Sequence, residues 1–164
     1  MKIFYAQDPY DRDSECASVF LAGPTPRSKD VLSWRPEAVE LFKKHKFNGN
    51  IYIPERDDWG GLEGYGSQIE WEHYHLDMSC AILMWVPREL ETMPSLTTNV
   101  EFGLYLHSRW GVKSGSPYRL FYGRPDEAPK NGYLDYCYKK VTKREPCKTL
   151  ENLVKETMAF MEKL

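Results

Sequence analysis

Three short apolar runs punctuate the chain: Val19-Phe20-Leu21-Ala22, Ile51-Tyr52-Ile53 and Ala81-Ile82-Leu83-Met84-Trp85-Val86. Each is followed at once by glycine or proline. Runs of this length without polar alternation read as strands covered on both faces, the habit of a parallel sheet. Lys2 to Ala6 reads as an edge strand, and Arg119 to Tyr122, stopped by Gly123 and Pro125, as a last strand. Between them the period changes. Pro36 suits a helix's first turn, and Ala38, Val39, Leu41, Phe42 and His45 then recur at helical spacing until Asn48-Gly49. Ser67 is the expected cap of a second helix running to about Ser79, with Ile69, His73, Leu76 and Cys80 as its inward stripe. Val100, Leu104 and His107 mark a third helix and Tyr133 to Val141 a fourth. Thr149 caps a fifth, with Leu150, Leu153, Val154, Thr157, Met158 and Met161 on one face. Alternating strands and helices predict a three-layer α/β/α sandwich, flavodoxin- or Rossmann-like, on a mostly parallel sheet of about five strands. The expected organisation is one domain over residues 1–164.

Composition narrows the partners. The 164 residues carry 22 Lys and Arg against 24 Asp and Glu, a formal net charge of -2. No basic field recommends nucleic acid or an anionic membrane, so the expected ligand is a small molecule. Cys16, Cys80, Cys137 and Cys147 form no C-x-x-C, which argues against a zinc knuckle or a disulfide scaffold. No apolar window reaches membrane-spanning length and no leader pattern opens the chain, so the expected location is cytoplasmic. His73 and His75, two apart on a helix, face different sides, and no metal site is expected.

Chemistry is expected where strands end. Gly23-Pro24-Thr25-Pro26-Arg27 follows the first buried strand, but its prolines lack amide donors, so it is no standard phosphate cradle. Asp57 to Gly66 is a glycine-rich loop whose Trp59 and Tyr65 are candidates to close over a ring. Glu72 interrupts the stripe of the second helix, three residues after Ile69 and four before Leu76, which sets its carboxylate on or beside the buried face. A half-buried acid needs a partner, either a structural cation or a function. Glu101 has two readings. In Thr98-x-x-Glu101 it completes a capping box, the default reading of the local sequence; the other is that the helix dipole at that place favours an ionised, nucleophilic carboxylate.

Val19-Phe20-Leu21-Ala22-Gly23-Pro24, Trp71-Glu72, Trp85-Val86-Pro87 and Thr98-Asn99-Val100-Glu101-Phe102-Gly103 occur in this order in nucleoside 2-deoxyribosyltransferase-like proteins. The chain resembles that family from about Val19 to Leu106. The resemblance implies that Glu101 forms a glycosyl-enzyme intermediate and that Glu72, one methylene longer than the usual Asp, assists at sugar and base. Phe20 stands where related deoxynucleoside-monophosphate N-hydrolases carry a substrate-facing Tyr, Ser95 where their phosphate-binding Ser lies, and Gly23, Arg27 and Asn99 at further substrate positions. Also implied are a homodimer or larger homo-oligomer completing the site and a reaction without metal or organic cofactor. The expected function is cleavage of the N-glycosidic bond of a nucleoside or its 5′-monophosphate, the sugar passing to water or to another base. An NAD-type glycohydrolase and a non-catalytic nucleotide-binding or interaction module are the alternatives.

Overall fold

A computed structural model describes residues 1–9, 17–28, 30–56, 64–111 and 115–164. Trp59 and Cys16 lie outside them. The described elements are β1 (Lys2–Tyr5), β2 (Ser18–Ala22), α1 (Arg35–Lys44), β3 (Asn50–Ile53) and α2 (Tyr65–Met78). Then follow β4 (Ala81–Trp85), α3 (Leu96–Tyr105), β5 (Leu120–Gly123), α4 (Gly132–Thr142) and α5 (Leu150–Met161). The strands form one sheet in the order β1-β3-β2-β4-β5, every pair parallel.

The unbroken apolar runs have a simple cause, because both faces of the sheet are covered. Along β2, Val19 and Leu21 point into the core closed by α1 and α5, while Phe20 and Ala22 point into the core closed by α2, α3 and α4. Along β4, Leu83 and Trp85 take the first side and Ile82 and Met84 the second. Alternate side chains of a strand face opposite ways, so a strand with two buried faces has no polar position to offer. The result is the three-layer α/β/α sandwich. Phe20 belongs to this packing: it is 1% exposed and lies against Trp71, ring centres 6.4 Å apart.

Chain order reverses between β2 and β4. From β2 the chain crosses outward to β3 and returns past β2 to β4, so the connections leaving these two strands diverge and open a crevice beyond their carboxyl ends. Gly23, the first residue of that crevice, has φ +141°, and a Cβ there would lie 2.2 Å from the Trp85 carbonyl oxygen. Only glycine allows β2 and β4 to end this close together.

Two helices differ from the sequence expectation, for the same physical reason. Helix α2 begins before Ser67, whose amide already donates to the Gly64 carbonyl at 3.0 Å, and Gly64 is the cap. Its buried residues are Trp71, His75 and Leu76, while Ile69 and His73 are exposed. The Trp71 indole stacks on His75 at 4.1 Å between ring centres, and burying that larger surface turns Ile69 outward. Helix α3 likewise buries Phe102 and Tyr105 and leaves Val100, Leu104 and His107 exposed. By contrast α5 meets its pattern: Thr149 accepts from the Asn152 amide and the named stripe is buried. Pro36 stands in the first turn of α1 as expected.

Candidate active site

The crevice is an open cleft of about 200 Å³. Gly23, Pro24, Thr25 and Arg27 come from the β2–α1 loop, Arg35 from α1 and Pro54 from the end of β3. Helix α2 supplies Tyr65, Gln68 and Glu72, and the start of α3 supplies Pro94 to Thr98 and Glu101. Six residues singled out in the sequence as site candidates therefore meet here: Gly23, Arg27, Tyr65, Glu72, Ser95 and Glu101. Phe20 lies in the core behind them. Asn99 turns away and accepts a bond from the buried Arg88 guanidinium at 2.5 Å, so it does not line the cleft.

The α3 terminus excludes the capping reading of Glu101. Ser95, held at φ 61° in the left-handed region, is the cap, and the helix starts at Leu96. Thr98 is thus its third residue and Glu101 its sixth, too deep to reach the free amides of the first turn. The capping box does not form. The Ser95 hydroxyl donates instead to the Met93 carbonyl at 3.1 Å, within its own turn. A second bond ties the β2–α1 loop to the segment before α3, where the Arg27 amide donates to the Thr92 carbonyl at 2.9 Å while the Arg27 side chain is exposed.

Burial dominates the electrostatics of the two acids. Glu101 is pushed up from 4.5 to about 7, by desolvation first and then by the charge of Glu72, against the opposing pull of Arg35. The helix dipole does not hold it ionised, since that field fades within the first turn. Among the described residues no hydrogen bond reaches its carboxylate. Glu72, half-buried, is also raised by desolvation, opposed by a bond from Gln68 Nε2 to its Oε1 at 2.8 Å and by the charges of Arg35 and His73. Of the two partners left open for Glu72, no salt bridge is formed among the described residues, and its hydrogen-bond donor is the Gln68 amide. Both acids are therefore raised by burial, and Glu101 is raised further by the charge of Glu72.

Arg35 and Gln68 were not expected at the site. Arg35 is 1% exposed, and its fork reaches five acceptors. Nε donates to the Leu21 carbonyl at 3.1 Å and Nη2 to the Gly23 carbonyl at 2.7 Å. Nη1 approaches the Pro24 carbonyl at 3.3 Å, Thr25 Oγ1 at 3.2 Å and Glu55 Oε2 at 2.8 Å. Its signal was present in the sequence. Arg35 precedes Ala38, Val39 and Phe42 by three, four and seven residues, which puts a cation on the buried stripe of α1. Gln68 stands one helical turn before Glu72, the spacing at which an amide meets a carboxylate.

Among the described residues no group of three or more His, Cys, Asp and Glu is placed to hold a metal ion, and no helix is long and apolar enough to cross a membrane. His75 is a buried core ring lowered to about 4 by desolvation, while His73 faces outward.

A parallel α/β sheet with paired acids in its switch-point crevice defines a class of small-molecule enzyme folds, and the comparison with known families is specific within it. The family described as nucleoside 2-deoxyribosyltransferase like matches residues 16–112, more than half of the chain. The chain belongs to that family. Every described residue named above for the cleft lies within the matched span. A search of curated proteins found no match.

A stability measurement tests the state of Glu101. Its carboxyl is raised above the ordinary value of 4.5 to about 7, so the stability tied to its proton is complete below 4.5 and is lost as pH rises through 7. Glu101→Gln, which cannot ionise, is expected to melt above wild type at about pH 8 and level with it at about pH 4, because burying a charge then costs only the wild type. A gap that is the same at both pH values would contradict the assignment.

Proposed function

We propose that the protein cleaves the N-glycosidic bond of a nucleoside or nucleotide by double displacement, with Glu101 as nucleophile and Glu72 as acid and base. Membership of the family implies glycosyl-transfer chemistry on a small nucleoside-type substrate. The observation that carries the finer reading is the asymmetry of the two carboxylates. Glu101 is free of hydrogen bonds among the described residues, while Glu72 has Oε1 held by Gln68 and Oε2 left to carry a proton.

In the first step a Glu101 oxygen attacks the anomeric carbon and the bond to the base nitrogen breaks, its electron pair going to the base as the Glu72 proton moves to it. In the second, water or another base attacks the same carbon, Glu72 takes the proton of the attacking group, and the ester to Glu101 opens. Two inversions give net retention. No metal or organic cofactor is needed by this route. Substrate anchoring falls to the exposed Arg27 side chain and to the first amides of α3. Because the Ser95 hydroxyl already donates to Met93, those amides support a 5′-phosphate more than Ser95 does.

One observation favours an exchange of roles. In the free protein the higher proton affinity lies at Glu101, the position of an acid, so the reaction runs through the form in which the proton has moved to Glu72. Under exchanged roles, Glu72 would attack and Glu101 would donate.

The direct test is release of free base from a panel of deoxynucleosides, their 5′-monophosphates and NAD. Glu101→Gln is expected to fold and to lose at least about a hundredfold in rate, the scale of losing an activated nucleophile or acid. Glu72→Gln should lose less on substrates whose base leaves readily. Near wild-type turnover by Glu101→Gln, or no base released from any substrate by wild type, would remove the proposal.

Assembly belongs to the same proposal. Leu96, Val100 and Leu104 form an exposed apolar row along α3, each more than 60% exposed, and Leu96 and Tyr65 carry it to the cleft rim. A second copy of the chain seated on this row would close the open side of the site. Sedimentation at micromolar concentration should show at least a dimer, and Val100→Glu should dissociate it. A wild type that is only monomeric under active conditions would contradict this.

A further inference from the structure

Charges converge on the floor of the cleft from four directions. Arg35 comes from α1, Glu55 from the end of β3, Glu72 from α2 and Glu101 from α3, with Arg27 at the rim, His73 beside Glu72 and Tyr105 one turn beyond Glu101. Glu55 is already paired, accepting from Arg35 at 2.8 Å and from the Ser33 hydroxyl. Arg35 is therefore the one buried cation among these groups, facing two further carboxylates. Its guanidinium is fixed by main-chain carbonyls of the loop that lines the site, so it cannot follow a mobile partner. With five N–H groups and a single hydrogen bond at Nη2, one Nη2 hydrogen has no acceptor among the described residues.

We propose that Arg35 is a positioning residue for the carboxylate pair, fixing the β2–α1 loop through its fork and supplying the buried positive charge that lets Glu101 ionise. This rests on the double-displacement reading above, in which Glu101 must be ionised to attack. The geometry supports two separable roles. The fork gathers the carbonyls of Leu21, Gly23 and Pro24, all of which accept from the one guanidinium. The charge acts on the acids across the cleft. Of the two, Glu101 interacts with Arg35 more strongly than Glu72 does, so Arg35 favours the arrangement with the negative charge on Glu101 and the proton on Glu72. The Gln68 amide pulls the opposite way by favouring an ionised Glu72. Arg35 and Gln68 thus set the distribution of one proton between two acids. A lysine in place of Arg35 would keep the charge and lose the fork; a glutamine would lose both.

The test is a titration of the ligand-free protein labelled with 13C at the glutamate side-chain carboxyl, the Glu101 signal being the one absent in Glu101→Gln. Arg35→Gln alone strands Glu55 as a buried unpaired charge and threatens the fold. The comparison is therefore between Glu55→Gln and Arg35→Gln/Glu55→Gln, with Arg35→Lys beside wild type. The Glu101 midpoint is expected to rise by about a unit when the guanidinium is removed in the Glu55→Gln background, and to stay near wild type in Arg35→Lys. Equal midpoints with and without Arg35 would overturn the proposal, and so would a lysine variant displaced as far as the glutamine one. Base release by the same proteins separates the two ideas. A shifted midpoint in a protein that releases no base would uphold the role of Arg35 and sink the reaction, whereas normal base release with an unshifted midpoint would do the reverse.

Discussion

Placing two carboxylates in one half-buried cleft is the constraint to which the rest of the site answers. Each is raised by loss of water and Glu101 also by the negative charge of Glu72, so burial favours the protonated form of both, which cannot attack. Compensation comes from opposite sides, with the Gln68 amide on Glu72 and the buried Arg35 guanidinium under both. The guanidinium is itself costly to bury, which burial shows by pulling its own proton affinity down. Carbonyls and the Glu55 carboxylate meet that cost, and this in turn ties the β2–α1 loop to the end of β3.

Sheet topology brings these groups together. A crevice opens where strand order reverses between β2 and β4, and Gly23 lets the two strand ends approach until the Trp85 carbonyl leaves no room for a side chain. Helices α2 and α3 then pass side by side on one face of the sheet. They are joined farther along by the Tyr105 hydroxyl donating to Asp77 at 3.0 Å, so Glu72 and Glu101 face each other across one seam. Nothing in the chemistry of either acid specifies this meeting; it follows from the aromatic residues Trp71, Phe102 and Tyr105 that set the rotation of the two helices.

That rotation also marks what the sequence did and did not disclose. Strands were legible because two covered faces leave no polar residue in Val19–Ala22 or Ala81–Val86, and α5 because its cap and stripe agree. Helices α2 and α3 were misjudged in facing, since Ile69, Val100 and Leu104 count as apolar as surely as Trp71 and Phe102 do. The larger surfaces claimed the core and left the aliphatic ones outside. Motif order disclosed Gly23, Glu72 and Glu101 as neighbours. It misplaced Phe20, whose ring belongs to the core, and Asn99, which Arg88 holds. Arg35 went unnoticed although it sits on the buried stripe of α1, because a cation there reads as an exception to the pattern when it is the counter-charge of the site.

In the proposed reaction Glu101, and not Glu72, is the carboxylate that bonds to sugar. Rapid acid quenching of the protein during turnover of a released-base substrate, followed by peptide mass analysis, reads this directly. A mass increase of one sugar unit is expected on the peptide containing Glu101 and is absent in Glu101→Gln. An adduct on the Glu72 peptide would establish the exchanged roles, and inversion at the anomeric carbon without any adduct would contradict double displacement altogether.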